Sequence, residues 1–402
     1  MKILILGIDG YLGWPLALHL AERGHVIAGM DNFARRQWVE EMGSVSAIPI
    51  ASALDRLYGF RDRFNCELHP YPYSYDMMIY ETLCEVLSIT KPHVIVHLAE
   101  CPSASYSMSS PKRAAFVMQN NVIGTLNLLH AMRDRAPKAH LVKLGTMGEY
   151  GTPNLDIPEG FFAPDMICKD GVWRVADLPF PRKAGSWYHW SKVHDSMNVM
   201  FACETWGLRS TDIMQGVVYG TRIDAMGEDK RLKTRLDFDE CFGTVINRFV
   251  CQALVGHPLT IYGDVGKQTR GFLPLRDSMQ CLTLAIDNPP EDGEYRVFNQ
   301  FEDTYSVLDL AAFVQLVGAR KGLEVEIGHY EMPRAEMQEH YYSPDHTNLL
   351  QLGYVPTSDM KSELSHMFED LSPHVDRIRD HADVLIPEVR WTGEIEKVRR
   401  IK

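Results

Sequence analysis

The chain has 402 residues, of which 45% are hydrophobic and 23% charged, and carries a formal net charge of -12. That length and apolar content fit a globular protein of about two domains rather than a disordered one, and the excess of acid argues against nucleic acid or an anionic membrane as partner. Eight cysteines are scattered at 66, 84, 101, 168, 203, 241, 251 and 281 with no CxxC pair and no zinc-like histidine spacing, which points to reduced thiols in a cytoplasm and to no metal site, and no run reaches the ~18 apolar residues of a membrane helix.

Residues 2–7 form a short apolar run ending in Gly7, which reads as a buried strand rather than a leader segment. Gly7-Ile-Asp9-Gly10-Tyr11-Leu12-Gly13 follows immediately and opens a helical pattern over 14–23. Glycines in that position permit a tight turn, bring backbone N–H groups close to a pyrophosphate and place it at a helix N-terminus. A second strand over 26–30 ends at Asp31, about 20 residues on, where a carboxylate bonds a ribose hydroxyl and repels a 2'-phosphate, so NAD is favoured over NADP. Arg35 and Arg36 cut the other way, because basic residues beyond the second strand can accept that phosphate; Asp31 should dominate. Taken as a mere turn and a loop cap, the same residues would carry no such agreement of placement, spacing and acid.

Further strands are predicted at 94–98, 141–144 and 210–214, with a helix over 122–133. Apolar runs alternating with helices define an α/β fold, a Rossmann-type doubly wound parallel sheet. Residues 156–186 break the pattern and read as a hairpin excursion around the Lys169-Asp-Gly171 turn. Beyond Gly220, helices over 242–254 and 307–321, strands over 259–262 and 295–299 and a polar tail suggest a smaller C-terminal α/β substrate domain. The division falls at 218/219, with some later segments returning to the first sheet.

Tyr188-His189-Trp-Ser-Lys192 sets a tyrosine and a lysine one helical turn apart on one face. A phenol with a reference pKa of about 10 is a poor base at neutral pH, and a neighbouring ammonium favours its ionised form. Such a pair alone is more often a solvated helical face. Gly145-Thr146, closing a predicted central strand, reverses that judgement by supplying a hydroxyl for the oxygen that Tyr188 would deprotonate. His189 points along another helix direction and a packed histidine is an equal reading of it; Cys101 is more often a small hydrophobe than a nucleophile.

With these motifs the chain resembles the extended short-chain dehydrogenases, the NAD-dependent epimerase/dehydratase family of sugar-nucleotide enzymes. The resemblance rests on the glycine turn, Asp31-Asn32-Phe-Ala-Arg35-Arg36, Lys143-Leu-Gly-Thr-Met147-Gly148-Glu149-Tyr-Gly-Thr-Pro153, the Tyr188 to Asp195 segment, Gln215-Gly-Val-Val218-Tyr-Gly220, Gln268-Thr-Arg270-Gly271 and Glu339-His-Tyr-Tyr342. Usual dehydratases carry Asp-Glu after the threonine; Met147 and Gly148 match instead the branch that sulfonates UDP-glucose. The resemblance implies that Tyr188, Thr146 and Lys192 oxidise the sugar at C4 with a resident NAD, that water leaves across C5 and C6 with His189 and Glu149 as acid/base candidates, and that sulfite adds at C6 before the hydride returns. It implies cofactor contacts from Gly7, Asp9, Gly10, Tyr11, Leu12, Gly13, Asp31, Asn32, Arg35, Arg36, Leu98, Asn121, Gln215 and Val218. It implies substrate contacts from Glu100, Met147, Gly148, Gln215, Thr244, Gln268, Arg270 and Arg334, the two arginines near the diphosphate, and a homodimer. Two segments depart from that branch: Glu100-Cys101-Pro102 replaces Glu-Gln-Arg, removing a cation from the active-site wall, and Tyr71-Pro-Tyr73 replaces the Gly-Asp-Ile that holds adenine. A UDP-sugar 4-epimerase, a dehydratase with another substrate or nucleophile, and a non-catalytic nucleotide-sugar binder remain alternatives.

Overall fold

The computed structural model describes all residues except 67, 72–75 and 176, and the side chains of 70 and 71. Seven parallel strands form the central sheet: β1 (Lys2–Leu6), β2 (Val26–Met30), β3 (His69–Tyr71), β4 (Val94–His97), β5 (His140–Thr146), β6 (Arg209–Gln215) and β7 (Tyr295–Gln300). Their spatial order is β7-β6-β5-β4-β1-β2-β3, so the direction of winding reverses between β1 and β4. Helices cover both faces, which is why β1 is apolar nearly throughout rather than alternating. Ile3 and Ile5 join Leu16, Leu20, Val96 and Ile213 on one face, while Leu4 and Leu6 join Leu83, Leu87, Leu128 and Val199 on the other.

Residues 72 and 73 of the Tyr71-Pro-Tyr73 departure lie outside the described residues; the backbone of Tyr71 pairs with Met30 at the sheet edge. Helix α1 (Gly13–Glu22) starts at the glycine turn, where Gly7 adopts φ 82° and a side chain at Gly13 would meet the Gly7 carbonyl at 2.2 Å. The excursion contains an antiparallel hairpin, Asp165–Ile167 with Trp173–Val175. Helix α2 (Trp187–Trp206) follows, capped by Ser186 and ended by Gly207 in the left-handed region.

A second large hydrophobic cluster packs α3 (Val245–Val255), α4 (Val307–Arg320) and α5 (Met360–Leu371) around Phe238, Phe249, Ile261, Val314 and Phe368. The expected polar tail is therefore in good part structural. Met360, Leu364, Met367, Phe368 and Leu371 are all buried on one face of α5, and Val389 and Val398 beyond it are also buried. No helix among the described residues is long and apolar enough to cross a membrane, and no described group of His, Cys, Asp or Glu could hold a metal.

Candidate active site

A cavity of about 310 Å³ opens at the carboxyl ends of the central strands, the position where open α/β sheets take ligands. Its wall is built from Gly7, Gly10, Tyr11, Leu12 and Gly13 after β1, from Asp31, Asn32 and Arg35 after β2, and from Leu98 and Glu100 after β4. Thr146 closes it from β5, Gln215 and Val218 from β6, Tyr188 and Lys192 from α2, and Thr244 from the cap of α3.

The donor set suits a dinucleotide. Asp31 accepts the backbone N–H groups of Asp9 at 2.8 Å and Phe33 at 2.7 Å, which fixes its carboxylate at the cavity rim. Burial, and after it the Asp9 charge, push the Asp31 carboxyl up to about 6, still ionised for the most part at neutral pH. Asn32 bonds Asp76 at 3.1 Å, and the side-chain amide oxygen Oε1 of Gln215 is buried at the cavity wall with no partner. An orphaned acceptor of this kind awaits a donor, and the nicotinamide end of NAD is where it would find one.

At the reacting end, α2 is pinned from several sides. Ser186 accepts the His189 N–H at 3.2 Å and lies 2.9 Å from the His189 ring nitrogen Nδ1, while the Tyr188 N–H donates to Ser107 at 3.1 Å. Thr146 Oγ1 accepts from the Gly148 N–H at 3.1 Å and remains at the cavity. Lys192 Nζ donates to Glu100 at 2.7 Å and to the Leu144 carbonyl. Burial alone would lower the Lys192 pKa, but Glu100 and then Asp195 raise it, so the ammonium is held charged. The Tyr188 phenol is held well above its ordinary value, first by burial and then by the charges of Glu100 and Glu149. In the protein without cofactor, burial before all else keeps the phenol from being acidic, whatever Lys192 contributes.

Several expected site residues lie off this wall. Asn121 is fully buried, with its amide accepting from the Cys101 N–H at 2.9 Å and donating to Ser191 at 2.9 Å; it braces the wall, and Asn120 faces the cavity instead. Asp9 and Arg36 are bound to each other at 2.7 Å. Glu149 sits behind the wall, its Oε2 2.9 Å from Ser196, which is itself 2.8 Å from Asp212. Burial raises the Glu149 pKa against the pull of Lys143, while Asp212 is kept low by Lys143 against its own burial.

Met147 is buried in a satellite cluster, and Gly148 gives room to His189, whose ring would lie 2.4 Å from any Cβ placed there. Burial, then Arg270 and Arg334, push the His189 imidazole down to about 3, leaving it neutral. Arg270 itself bonds Glu336 and lies 3.0 Å from His340; Arg334 rests against the rings of Tyr262 and Trp391, and Gln268 donates to the Tyr262 carbonyl at 3.2 Å. Cys101 is fully buried and its thiol is pushed up to about 12 by burial, the setting of a small hydrophobe.

Trp38, Asp76, Met77 and Phe242 also line the cavity and carried no signal in the sequence. Phe242 lies under the Arg35 guanidinium at 4.0 Å, a contact across 207 residues.

A doubly wound sheet with a glycine turn, a ribose-facing acid and a Thr, Tyr and Lys at one cavity defines a nicotinamide-dependent enzyme of the short-chain dehydrogenase class. The model of the NAD dependent epimerase/dehydratase family matches residues 3–299, and the chain belongs to that family. It is 44% identical over 402 residues to the UDP-sulfoquinovose synthase of Sulfolobus acidocaldarius, covering 100% of both chains. It is 44% identical over 392 residues to the chloroplastic UDP-sulfoquinovose synthase of Spinacia oleracea, covering 97% of this chain and 79% of that one. Among solved structures, the UDP-glucose 4-epimerase of Thermotoga maritima with UDP-glucose superposes with a TM-score of 0.66 at 20% identity, over 93% of this chain and 99% of that chain. The Thermus thermophilus UDP-glucose 4-epimerase complex with NAD gives 0.64 at 20% identity, over 92% and 99%.

Proposed function

We propose that the protein is a UDP-sulfoquinovose synthase, converting UDP-glucose and sulfite to UDP-sulfoquinovose and water. The observation that carries this is the 44% identity along the whole chain to two enzymes of that name, together with Thr146, Tyr188 and Lys192 on one cavity wall.

NAD, when bound, supplies the hydride acceptor for C4 and a positive charge beside the phenol. Tyr188 takes the proton of the sugar O4, and Thr146 holds that oxygen by a hydrogen bond. Lys192, kept charged by Glu100, offsets the negative charge that develops on the phenol. Oxidation at C4 acidifies the C5 proton, and His189 is the candidate base for it, neutral in the protein but held a weak base by burial, Arg270 and Arg334. Glu149, buried behind the wall with its pKa raised by burial, is the second acid/base candidate for the elimination. Sulfite then adds at C6, with C4 reduced again. Arg270 and Arg334 are assigned to the diphosphate side of the sugar. A homodimer and a cytoplasmic location belong to the same proposal.

The absence of a cation at Cys101-Pro102 favours, as a second reading, a related enzyme that ends in epimerisation or uses another nucleophile. Incubating the protein with NAD, UDP-glucose and sulfite and examining products by mass spectrometry decides between them. A sulfonated sugar nucleotide supports the first, and UDP-galactose with no sulfonate overturns it.

A further inference from the structure

Behind the ribose end of the cavity lies a cluster of opposed charges that the reaction does not use. We propose that Asp9 sets the dinucleotide preference by positioning: it holds Arg36 and Arg56 away from the place where a 2'-phosphate would sit. The proposal rests on the reading of the cavity as a dinucleotide site.

Asp9 belongs to the glycine turn, yet its side chain is turned from the cavity and is 5% exposed. Its backbone N–H donates to Asp31 Oδ2 at 2.8 Å, so the two acids share one corner. Arg36 meets the Asp9 carboxylate with two parallel bonds of 2.7 Å, from Nε to Oδ2 and from Nη2 to Oδ1. Arg56 adds a third from Nη1 to Oδ1 at 2.7 Å, and its other contacts are the Asp9 carbonyl at 3.2 Å and the Lys233 carbonyl at 3.1 Å. Arg56 is buried at 2% exposure beneath the Trp14 indole, whereas Arg36 is 25% exposed.

A guanidinium offers its fork equally well to a carboxylate or to a phosphate. An arginine just beyond the second strand is what a 2'-phosphate would recruit, and here that fork is filled by Asp9. Arg35 is engaged too, by Asp237, with Nε and Nη2 both donating to one oxygen, Oδ2, at 3.0 and 2.8 Å. Asp31 therefore supplies repulsion and Asp9 withholds attraction, the two halves of discrimination against the phosphorylated cofactor.

The test measures dissociation constants of NADH and NADPH on nucleotide-free protein by fluorescence titration. The ratio of the two constants should move at least tenfold toward NADPH in Asp9→Asn. The double variant Asp9→Asn/Arg56→Met takes the carboxylate from Arg36, which keeps the Ala51 carbonyl at 3.2 Å, without leaving a buried unpaired Arg56 guanidinium, and should move the ratio in the same direction. Adding Arg36→Gln to Asp9→Asn should restore the original ratio, and Asp9→Glu should keep it. Arg36→Gln alone, which leaves Asp9 paired with Arg56, should change the ratio less than twofold, because that cation is already neutralised. An unmoved ratio in the Asp9→Asn variants, or a marked fall in NADPH affinity in Arg36→Gln alone, overturns the proposal. Wild-type protein that binds neither nucleotide would remove the dinucleotide reading and this proposal with it; NADH binding with an unmoved ratio would remove this proposal only.

Discussion

Replacing Glu100 by glutamine tests how the reacting end is held. Glu100 and Lys192 form an ion pair at 2.7 Å, and each side chain is only 4% exposed. In Glu100→Gln the ammonium keeps the Leu144 carbonyl and gains a neutral amide, but loses the charge that makes its burial tolerable. Breaking a buried pair from one side costs about 3–5 kcal/mol, and the retained hydrogen bond places this change near the lower end. At an unfolding entropy of about 2.1 cal/mol/K per residue, a chain of 402 residues loses about 3–4 °C of Tm for 3 kcal/mol. The same substitution removes the foremost charge that, after burial, holds the Tyr188 phenol up. The limb of the kcat profile on which activity rises with pH should therefore move to lower pH. Calorimetry of the protein and pH profiles of turnover with saturating UDP-glucose and sulfite read the two effects. A Tm within 1 °C of the original together with an unmoved limb would refute the claim that Glu100 holds Lys192 charged against the phenol.

Gly148→Ala places a methyl group 2.4 Å from the His189 ring, an overpacking of about 1–3 kcal/mol that must turn the ring. NAD reduction in a single turnover should persist while water loss slows at least tenfold, and equal slowing of both steps would count against His189 in the elimination. Ser196→Ala leaves Glu149 and Asp212 without the hydroxyl between them; a loss of about 1–3 kcal/mol is expected, and denaturant unfolding with an unchanged midpoint would refute the network. The Asp31 carboxyl lies at about 6 in the folded protein against 3.8 as its ordinary value, so the native state binds that proton more tightly than the unfolded one. Its contribution to stability is greatest below about pH 4 and falls as pH rises through 6. Asp31→Asn should flatten that part of the stability curve of the nucleotide-free protein, and a superimposable curve would show the carboxyl to be unperturbed.

What could be read before folding was what depends on near neighbours. The glycine turn, the acid closing β2 and the Tyr188 to Lys192 spacing each occupy one short segment whose geometry follows from a strand end or a helical turn. The apolar runs of β1, β2, β4, β5 and β6 were legible because a sheet covered on both faces leaves no polar alternation to confuse them. Helix α5 was harder. Its buried positions at 360, 364, 367, 368 and 371 keep a helical period, but lysine, glutamate and aspartate between them make the segment read as polar.

The partnerships of charge were hidden for a different reason. Arg36, Arg56 and Asp9 are separated by 27 and 47 positions, and only the docking of their segments decides that the carboxylate serves the arginines and not the ligand. Lys143 is the instructive contrast. It lies inside the run 141–144, a strand of a sheet covered on both faces, and a lysine in such a place is intolerable without an acid. The physical rule therefore demands a partner even where the sequence does not name it. The sheet register puts Asp212 of β6 directly opposite Lys143 of β5, 3.1 Å away with both side chains fully buried. From there the pairing extends through Ser196 to α2 and through Glu149 to the loop after Thr146. The charges behind the sheet thus fix the helix that carries Tyr188 and Lys192 against the strand that carries Thr146, which binds the stability of the fold to the geometry of the reacting groups.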